Sequence, residues 1–214
     1  MNRPPNFDRL AGIYRWMELV SFGPWLWRSR CAFFGELLQS RHALVLGDGD
    51  GRFTARLLRT NPDIQIDTVD ASPAMLRALV RHAKPHAGRL CTFAADARHW
   101  QPSQTQTYDL VITHFFLDCL TTAEVQSLAL KLRPALSPDA VWVVSEFAVP
   151  SGSFGSLIAS PLVSILYWIF GLLTGLAIRR LPDHRSALER CGFTRRHTRT
   201  WLRGLLVSDL WSLN

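Results

Sequence analysis

No C-x-x-C pair occurs in this 214-residue sequence. Its four cysteines, Cys31, Cys91, Cys119 and Cys191, stand far apart, which argues against a disulfide framework or a zinc site and predicts reduced thiols in a cytoplasmic protein. No internal repeat, low-complexity segment or clear metal-ligand cluster is present. No long Lys/Arg tract and no nucleic-acid-binding module is present either, so a nucleic-acid partner is not expected. The opening "MNRPPNFDRLAG" has no apolar h-region, and no secretory signal is expected there. Charge is sparse at 19% against 48% hydrophobic residues, a composition that excludes a disordered chain and supplies a core for one domain. The net charge of +7 reads first as a basic solvated surface, with an anionic partner as the alternative.

What is present alternates. Residues 7–18 place Phe7, Leu10, Ile13, Tyr14 and Met17 at helical spacing, and a second helix is expected from Pro24 to about Gln39. "HALVLG" then reads as a buried strand, and 52–60 as a helix stopped by Asn61-Pro62. Strands follow at 64–70, 89–96, 108–116 and 140–149, with helices at 72–83 and 122–136. Ser72 and Pro73 supply the N-cap and first-turn proline of one helix, and Thr121 or Thr122 caps the other. Apolar strands alternating with helices predict a parallel sheet covered on both faces.

Three glycines follow the first core strand in "LVLGDGDGRF". In an open parallel sheet this is where ligands sit, and glycine lets them approach the backbone. A dinucleotide fingerprint, G-x-G-x-x-G, would need glycine at Arg52 or Thr54. A phosphate loop would need a lysine, and a calcium loop starting at Asp48 would need glutamate where Arg59 stands. What remains is G-x-G-x-G.

That loop, with "VDASPAML" (69–76), "AADARHW" (94–100) and "YDLVITHFFLDCL" (108–120), resembles the four motifs of class I S-adenosylmethionine (SAM)-dependent methyltransferases. The resemblance implies a three-layer α/β/α Rossmann-like fold with a seven-stranded, mostly parallel sheet whose last strand is antiparallel. It implies SAM as cofactor, with S-adenosylhomocysteine as product. The implied cofactor-binding residues are Gly47, Asp48, Gly49, Gly51, Asp70, Ala71, Ser72, Met75, Asp96, Ala97 and His114. Asp70 would take the ribose hydroxyls, since one carboxylate can accept two donors, and Asp96 the adenine amino group. The family often places an acid two positions before the first glycine; this chain has Val45 there. His114 and Asp118 follow the fourth strand and are the candidate general bases, should the acceptor carry a proton. No metal is expected.

From Phe147 to Ile178 there are 32 residues without a charge. The length admits a membrane span. Yet 192–202 and 204–211 read as two more strands, which in this family pair with the strand at 140–149, and one crossing would split that sheet. Pro161, Gly171 and Gly175 suggest broken helix. The run is expected to form a helical lid over the acceptor pocket, with Tyr167, Trp168 and Phe170 as acceptor contacts and 153–180 as the candidate segment for peripheral membrane contact. The order of elements is similar to the small-molecule methyltransferases of ubiquinone and menaquinone biosynthesis, which implies a small, hydrophobic acceptor methylated at O, C or N. The expected division is 1–40 N-terminal helices, 41–150 SAM-binding core, 151–182 lid and 183–214 helix and strand pair, all one domain. The alternatives are a SAM-fold binding or scaffold subunit without methyl transfer, and a membrane-associated lipid-binding protein.

Overall fold

A computed structural model describes residues 22–103, 106–153, 155–165 and 181–213. The expected helix at 7–18 and the aromatic contacts Tyr167, Trp168 and Phe170 lie outside the described residues. Seven strands form one sheet: β1 (His42–Leu46), β2 (Gln65–Asp70), β3 (Leu90–Ala94), β4 (Tyr108–His114), β5 (Leu136–Phe147), β6 (Phe193–Trp201) and β7 (Leu206–Leu213). Their order is β3-β2-β1-β4-β5-β7-β6. The pairs among β1 to β5 are parallel, and β7 lies antiparallel to both β5 and β6. This is the expected Rossmann-like methyltransferase sheet, with the last strand in sequence the antiparallel one.

The helices are α1 (Pro24–Arg30), α2 (Arg52–Thr60), α3 (Pro73–Ala83), α4 (Thr122–Leu132) and α5 (His184–Arg190). Alternation along β1 sends Leu44 and Leu46 to one core and Ala43 and Val45 to the other. The first core packs Val125, Leu128 and Leu132 of α4 and Leu188 of α5 against Trp142 and Trp211. The second packs Phe53, Leu57 and Leu58 of α2 with Phe33 and Leu37. Full burial of each such side chain contributes roughly 1.5–3 kcal/mol, so loss of either face would unfold the domain.

Two expected helices end early, each for a local reason. The helix begun at Pro24 stops at Arg30, and a 3₁₀ turn takes up Phe34–Gln39. The Ser29 carbonyl accepts from the Ala32 amide (3.1 Å) and from the Ser208 hydroxyl of β7 (2.8 Å), so the sheet takes an acceptor that a longer helix would have used. The helix expected to reach 136 ends at Leu132, because Pro134 cannot donate an amide and restricts Arg133. Its start is as expected: Thr121 accepts from the Glu124 amide (3.2 Å) and Glu124 returns a bond to Thr121 (2.8 Å).

Candidate functional site

The carboxyl ends of β1, β2 and β4 meet at the glycine loop. Gly47, Gly49 and Gly51 all have positive φ, +65°, +62° and +79°. A Cβ on Gly47 would lie 2.4 Å from Phe116 Cδ2, and one on Gly51 would lie 2.3 Å from Leu79 Cβ. Only glycine fits both the dihedrals and the space. The loop packs against Phe116 and Leu79, leaves Gly47 and Gly49 half-buried and Gly51 buried, and leads directly into α2, whose first turn offers amides and a partial positive charge.

Asp48 is 4% exposed and turns inward rather than to solvent. Its Oδ2 accepts from the Thr54 amide at 3.0 Å, which satisfies one donor of the α2 start. Burial pushes its carboxyl up to about 6, against the opposing pull of the Thr54 bonds and of Arg30. Asp50 pairs with Arg52 (2.7 Å), and the His82 ring donates to the Asp50 carbonyl (2.9 Å). The loop is thus held from both sides.

Asp70 ends β2 half-buried, and its Oδ1 accepts from the Ser72 amide (2.8 Å). Ser72 caps α3 through the Met75 amide, and Ser72 and Met75 are buried while Ala71 is exposed. The turn 70–75 is therefore one hydrogen-bonded unit beside the glycine loop, tied to it by the Gly47 amide on the Val69 carbonyl (3.0 Å).

Asp96 sits in the loop after β3, with buried Ala97 next to it. Both carboxylate oxygens take bonds from Arg98, at 2.6 to 3.0 Å, and these bonds hold the Asp96 carboxyl below its usual range despite partial burial. Arg98 also reaches Glu124 (3.3 Å). Sequence reasoning missed what fixes this loop: Lys131 of α4 donates to the carbonyls of Ala97, Arg98 and Trp100, at 2.9, 2.7 and 3.1 Å. A lysine late in a helix carries no such signal.

His114 ends β4, and the structure places it inside rather than at the open edge. It is 2% exposed, with its ring 4.6 Å from Phe53 in an edge contact and Nδ1 3.0 Å from Ser145 Oγ. Strand alternation explains this: Thr113 faces the α4 side and bonds Trp142, so His114 faces α2. Burial, assisted by Arg30, pushes the imidazole well below its usual range, so it is neutral at pH 7.

Past His114 the chain turns sharply. Phe115 has φ +54°, a strained value for a side-chain-bearing residue. Its amide donates to the Ser145 carbonyl (2.7 Å), and the amides of Phe116 and Leu117 donate to Glu146 Oε1 at 3.1 and 2.7 Å. Asp118, 8% exposed, lies in the turn Leu117–Cys119. Burial, with Asp118 adding to it, pushes the Glu146 carboxyl well above its usual range, although amides of the turn pull the other way. Glu146 was not among the residues expected at the site. It lies in an apolar strand, and nothing in the sequence marks it as facing β4.

Beyond β4 and β5 the edge turns apolar. Phe147 packs at 5.1 Å from Phe22 and 5.0 Å from Phe115, and Arg30 lies over the Phe115 ring at 5.5 Å. Ala159 and Val163 close the cluster together with Leu26, Leu205 and Leu206. They belong to a helical segment of residues 155–165 that opens with a π-turn, Gly155–Ala159, just before Pro161. Pro161 cannot donate to the preceding turn, so the widened turn accommodates it. Gly155, Ala159 and Val163 face inward, while Leu157, Ile158, Leu162 and Ile165 are exposed. No helix among the described residues is long and apolar enough to cross a membrane. A separate cavity of about 160 Å³, lined by His42, Asp67, Arg89 and Cys91 among others, lies at the amino ends of β1–β3, remote from the glycine loop.

A family model described as a methyltransferase domain matches residues 44–142. The tRNA1(Val) (adenine(37)-N6)-methyltransferase of Klebsiella pneumoniae (strain 342) is 36% identical over 98 residues, covering 41% of this chain and 39% of that protein. The trans-aconitate 2-methyltransferase of Streptomyces avermitilis is 41% identical over 71 residues, covering 32% of this chain and 26% of that one. The chain thus spans well under half the length of these curated relatives. Among solved structures, a protein of Nostoc punctiforme PCC 73102 assigned as an O-methyltransferase superposes with a TM-score of 0.74 at 18% identity, over 97% of this chain and 61% of that one. The N-methyltransferase NodS of Bradyrhizobium japonicum, solved with S-adenosylhomocysteine, gives 0.62 at 13% identity, over 88% of this chain and 84% of that one. Residues 44–142 thus match a methyltransferase domain, and the sheet that contains them has the Rossmann-like methyltransferase fold.

Proposed function

We propose that this domain makes the whole chain, read as a single domain, an enzyme that transfers the methyl group of SAM to a small acceptor with a largely apolar body. The observation that supports it most is the glycine loop with three positive-φ residues facing the Asp70–Ser72 turn. The fit to SAM is a turn of three positive-φ glycines, packed against Phe116 and Leu79, next to a half-buried carboxylate. Gly47, Gly49 and Gly51 would line the methionine part, Asp70 the ribose, Met75 and Ala97 the adenine faces, and Asp96 the adenine edge. The bidentate Arg98 pair makes Asp96 a fixed acceptor rather than a mobile one.

When bound, the sulfonium supplies an already activated methyl group. The chain's own residues then align and exclude water. The turn after β4 and the aromatic cluster Phe22, Phe115 and Phe147 hold the acceptor. Asp118 is the better of the two base candidates, because His114 is enclosed by Phe53 and bonded to Ser145. The residues at 155–165 act as a lid, and their exposed apolar side is where 153–180 would touch a membrane from the cytoplasmic side.

The likeness to ubiquinone and menaquinone methyltransferases is retained as a proposal about the acceptor, supported by the apolar cluster. A nucleic-acid acceptor is the rival that the tRNA-modifying relative raises. Calorimetry with SAM and S-adenosylhomocysteine tests the cofactor. Radiolabelled methyl transfer to a prenylated-quinol precursor, set against transfer to total tRNA, tests the acceptor: label in the quinol supports the proposal, and label in the tRNA alone overturns it.

A further inference from the structure

We infer that Glu146 is a positioning residue: by holding the Phe116 and Leu117 amides, its carboxyl oxygen sets how the turn after β4 meets the glycine loop. The inference rests on the SAM reading above and deepens it. The connection can be followed atom by atom. Glu146 Oε1 accepts from both amides, at 3.1 and 2.7 Å, across about thirty residues of sequence. The next residue back, Ser145, takes the Phe115 amide on its carbonyl (2.7 Å). Two successive residues of β5 therefore clamp three successive amides of a turn whose first residue is strained at φ +54°. Successive amides converging on one acceptor form a concave nest, and here the protein supplies that acceptor itself, Glu146 Oε1.

The Phe116 side chain carries the effect onward. Its ring lies so close to Gly47 that a Cβ there would be 2.4 Å away. Leu117 is fully buried and anchors the other side of the turn. Any shift of the two amides must therefore move the ring against the first glycine of the loop. Glu146 is 2% exposed, and its Oε2 has no hydrogen-bond partner among the described residues. A buried carboxyl with one unsatisfied oxygen is costly, and a bond that serves only stability could be replaced at lower cost by an apolar side chain. What an apolar side chain could not do is dictate where the strained turn lies.

The test compares Glu146→Ala with Glu146→Gln, which keeps an oxygen for the two amides. SAM affinity is measured by calorimetry, and amide exchange at residues 116 and 117 is measured in the ligand-free protein. Misplacement by about an ångström can cost on the order of 10²-fold in turnover. The Ala variant is expected to weaken SAM binding about tenfold or more, cut turnover further, and speed exchange at 116 and 117 while mid-strand amides of β4 stay slow. The Gln variant should stay within about threefold of wild type in affinity. An Ala variant with fast local exchange but wild-type affinity and turnover overturns the inference, as does a Gln variant as defective as Ala. Should the Ala variant not fold, Phe116→Ala carries the test, since removing the ring should weaken SAM binding similarly; unchanged binding overturns the inference. A wild-type protein that binds no SAM overturns the cofactor reading itself, whereas wild-type binding with unaffected variants overturns only the role of Glu146.

Discussion

Over β1–β3 the carboxyl edge carries four aspartates, and each is engaged by a donor no more than six residues away: Asp48 by Thr54, Asp50 by Arg52, Asp70 by Ser72 and Asp96 by Arg98. Over β5 and β7 the edge is aromatic and aliphatic, and its contacts join Phe22 to Phe147, Phe115 to Phe147, and Ala159 and Val163 to Leu205. The first half is written in short self-bonding turns, in which Asp takes a backbone amide two residues on. The second half exists only when segments remote in sequence come together. A half built from local bonds can keep one geometry whatever occupies the other, which suits a fixed cofactor. A half built from packing can be re-cut for a new acceptor without disturbing the first.

The largest expected effect breaks the rigid half. Gly51→Ala puts a Cβ 2.3 Å from Leu79 Cβ at φ +79°. Backbone strain of about 1–3 kcal/mol adds to overpacking of about 1–3 kcal/mol. Denaturant unfolding should show a loss of several kcal/mol and calorimetry no SAM binding; a well-folded variant with normal affinity would show the loop to be soft. Next, if Asp70 takes the ribose hydroxyls as proposed, Asp70→Ala removes two acceptors, each bond to a charged group being worth about 1.5–3 kcal/mol, so SAM affinity should fall about a hundredfold or more. Phe147→Ala should leave that affinity within a few-fold and raise the acceptor KM instead, and the reverse pattern would dissolve the contrast between the halves.

A fourth prediction uses pH. The folded Asp48 carboxyl holds its proton to about 6, whereas its ordinary value is 3.8. Between those values the native state binds more protons than the unfolded one, so stability falls as pH rises from about 4 to about 6 and then levels, by about 3 kcal/mol at most. Glu146, raised for the same reason, adds in the same direction. Asp48→Asn should flatten the curve, because the amide oxygen still accepts from Thr54 and no charge is buried. Urea unfolding across pH 4–8 reads the slope, and a wild-type curve that rises through this window would refute the assignment. The smallest effect is expected from Val163→Ala, which deletes two buried methyl groups from the packed half at about 0.8 kcal/mol each. SAM affinity should not move, while thermal unfolding should shift down slightly.

The same contrast explains what could be read in advance. The glycine loop, the Ser72 cap, the threonine cap of α4 (Thr121 of the two candidates) and the alternation of strands all follow from residues within a few positions of one another, and each stands where it was expected. His114 was legible as part of a strand expected at 108–116, which ends at His114, but not as a buried ring, because its direction depends on pleat parity and on Phe53 arriving from α2. Glu146 and Lys131 were not legible. Their partners lie about thirty residues away, and neither strand nor helix pattern distinguishes them from a solvated charge. The early end of α1 has the same cause, since Ser208 competes for the Ser29 carbonyl from the far end of the chain.

The place of β7 between β5 and β6 also bears on the order in which the chain assembles. β6 is synthesised before β7, yet it cannot pair with β5, because β7 lies between them. Until residues 206–213 arrive, β5 presents an open row of amides and carbonyls next to Trp142 and Phe147, and β6 has no partner at all. Antiparallel pairing on both flanks lets this one segment close both strands at once. A nascent or partly unfolded chain held short of that step carries an exposed strand edge, the kind of template on which chains pair with one another. Closing this edge is therefore a step at which self-association can compete with folding.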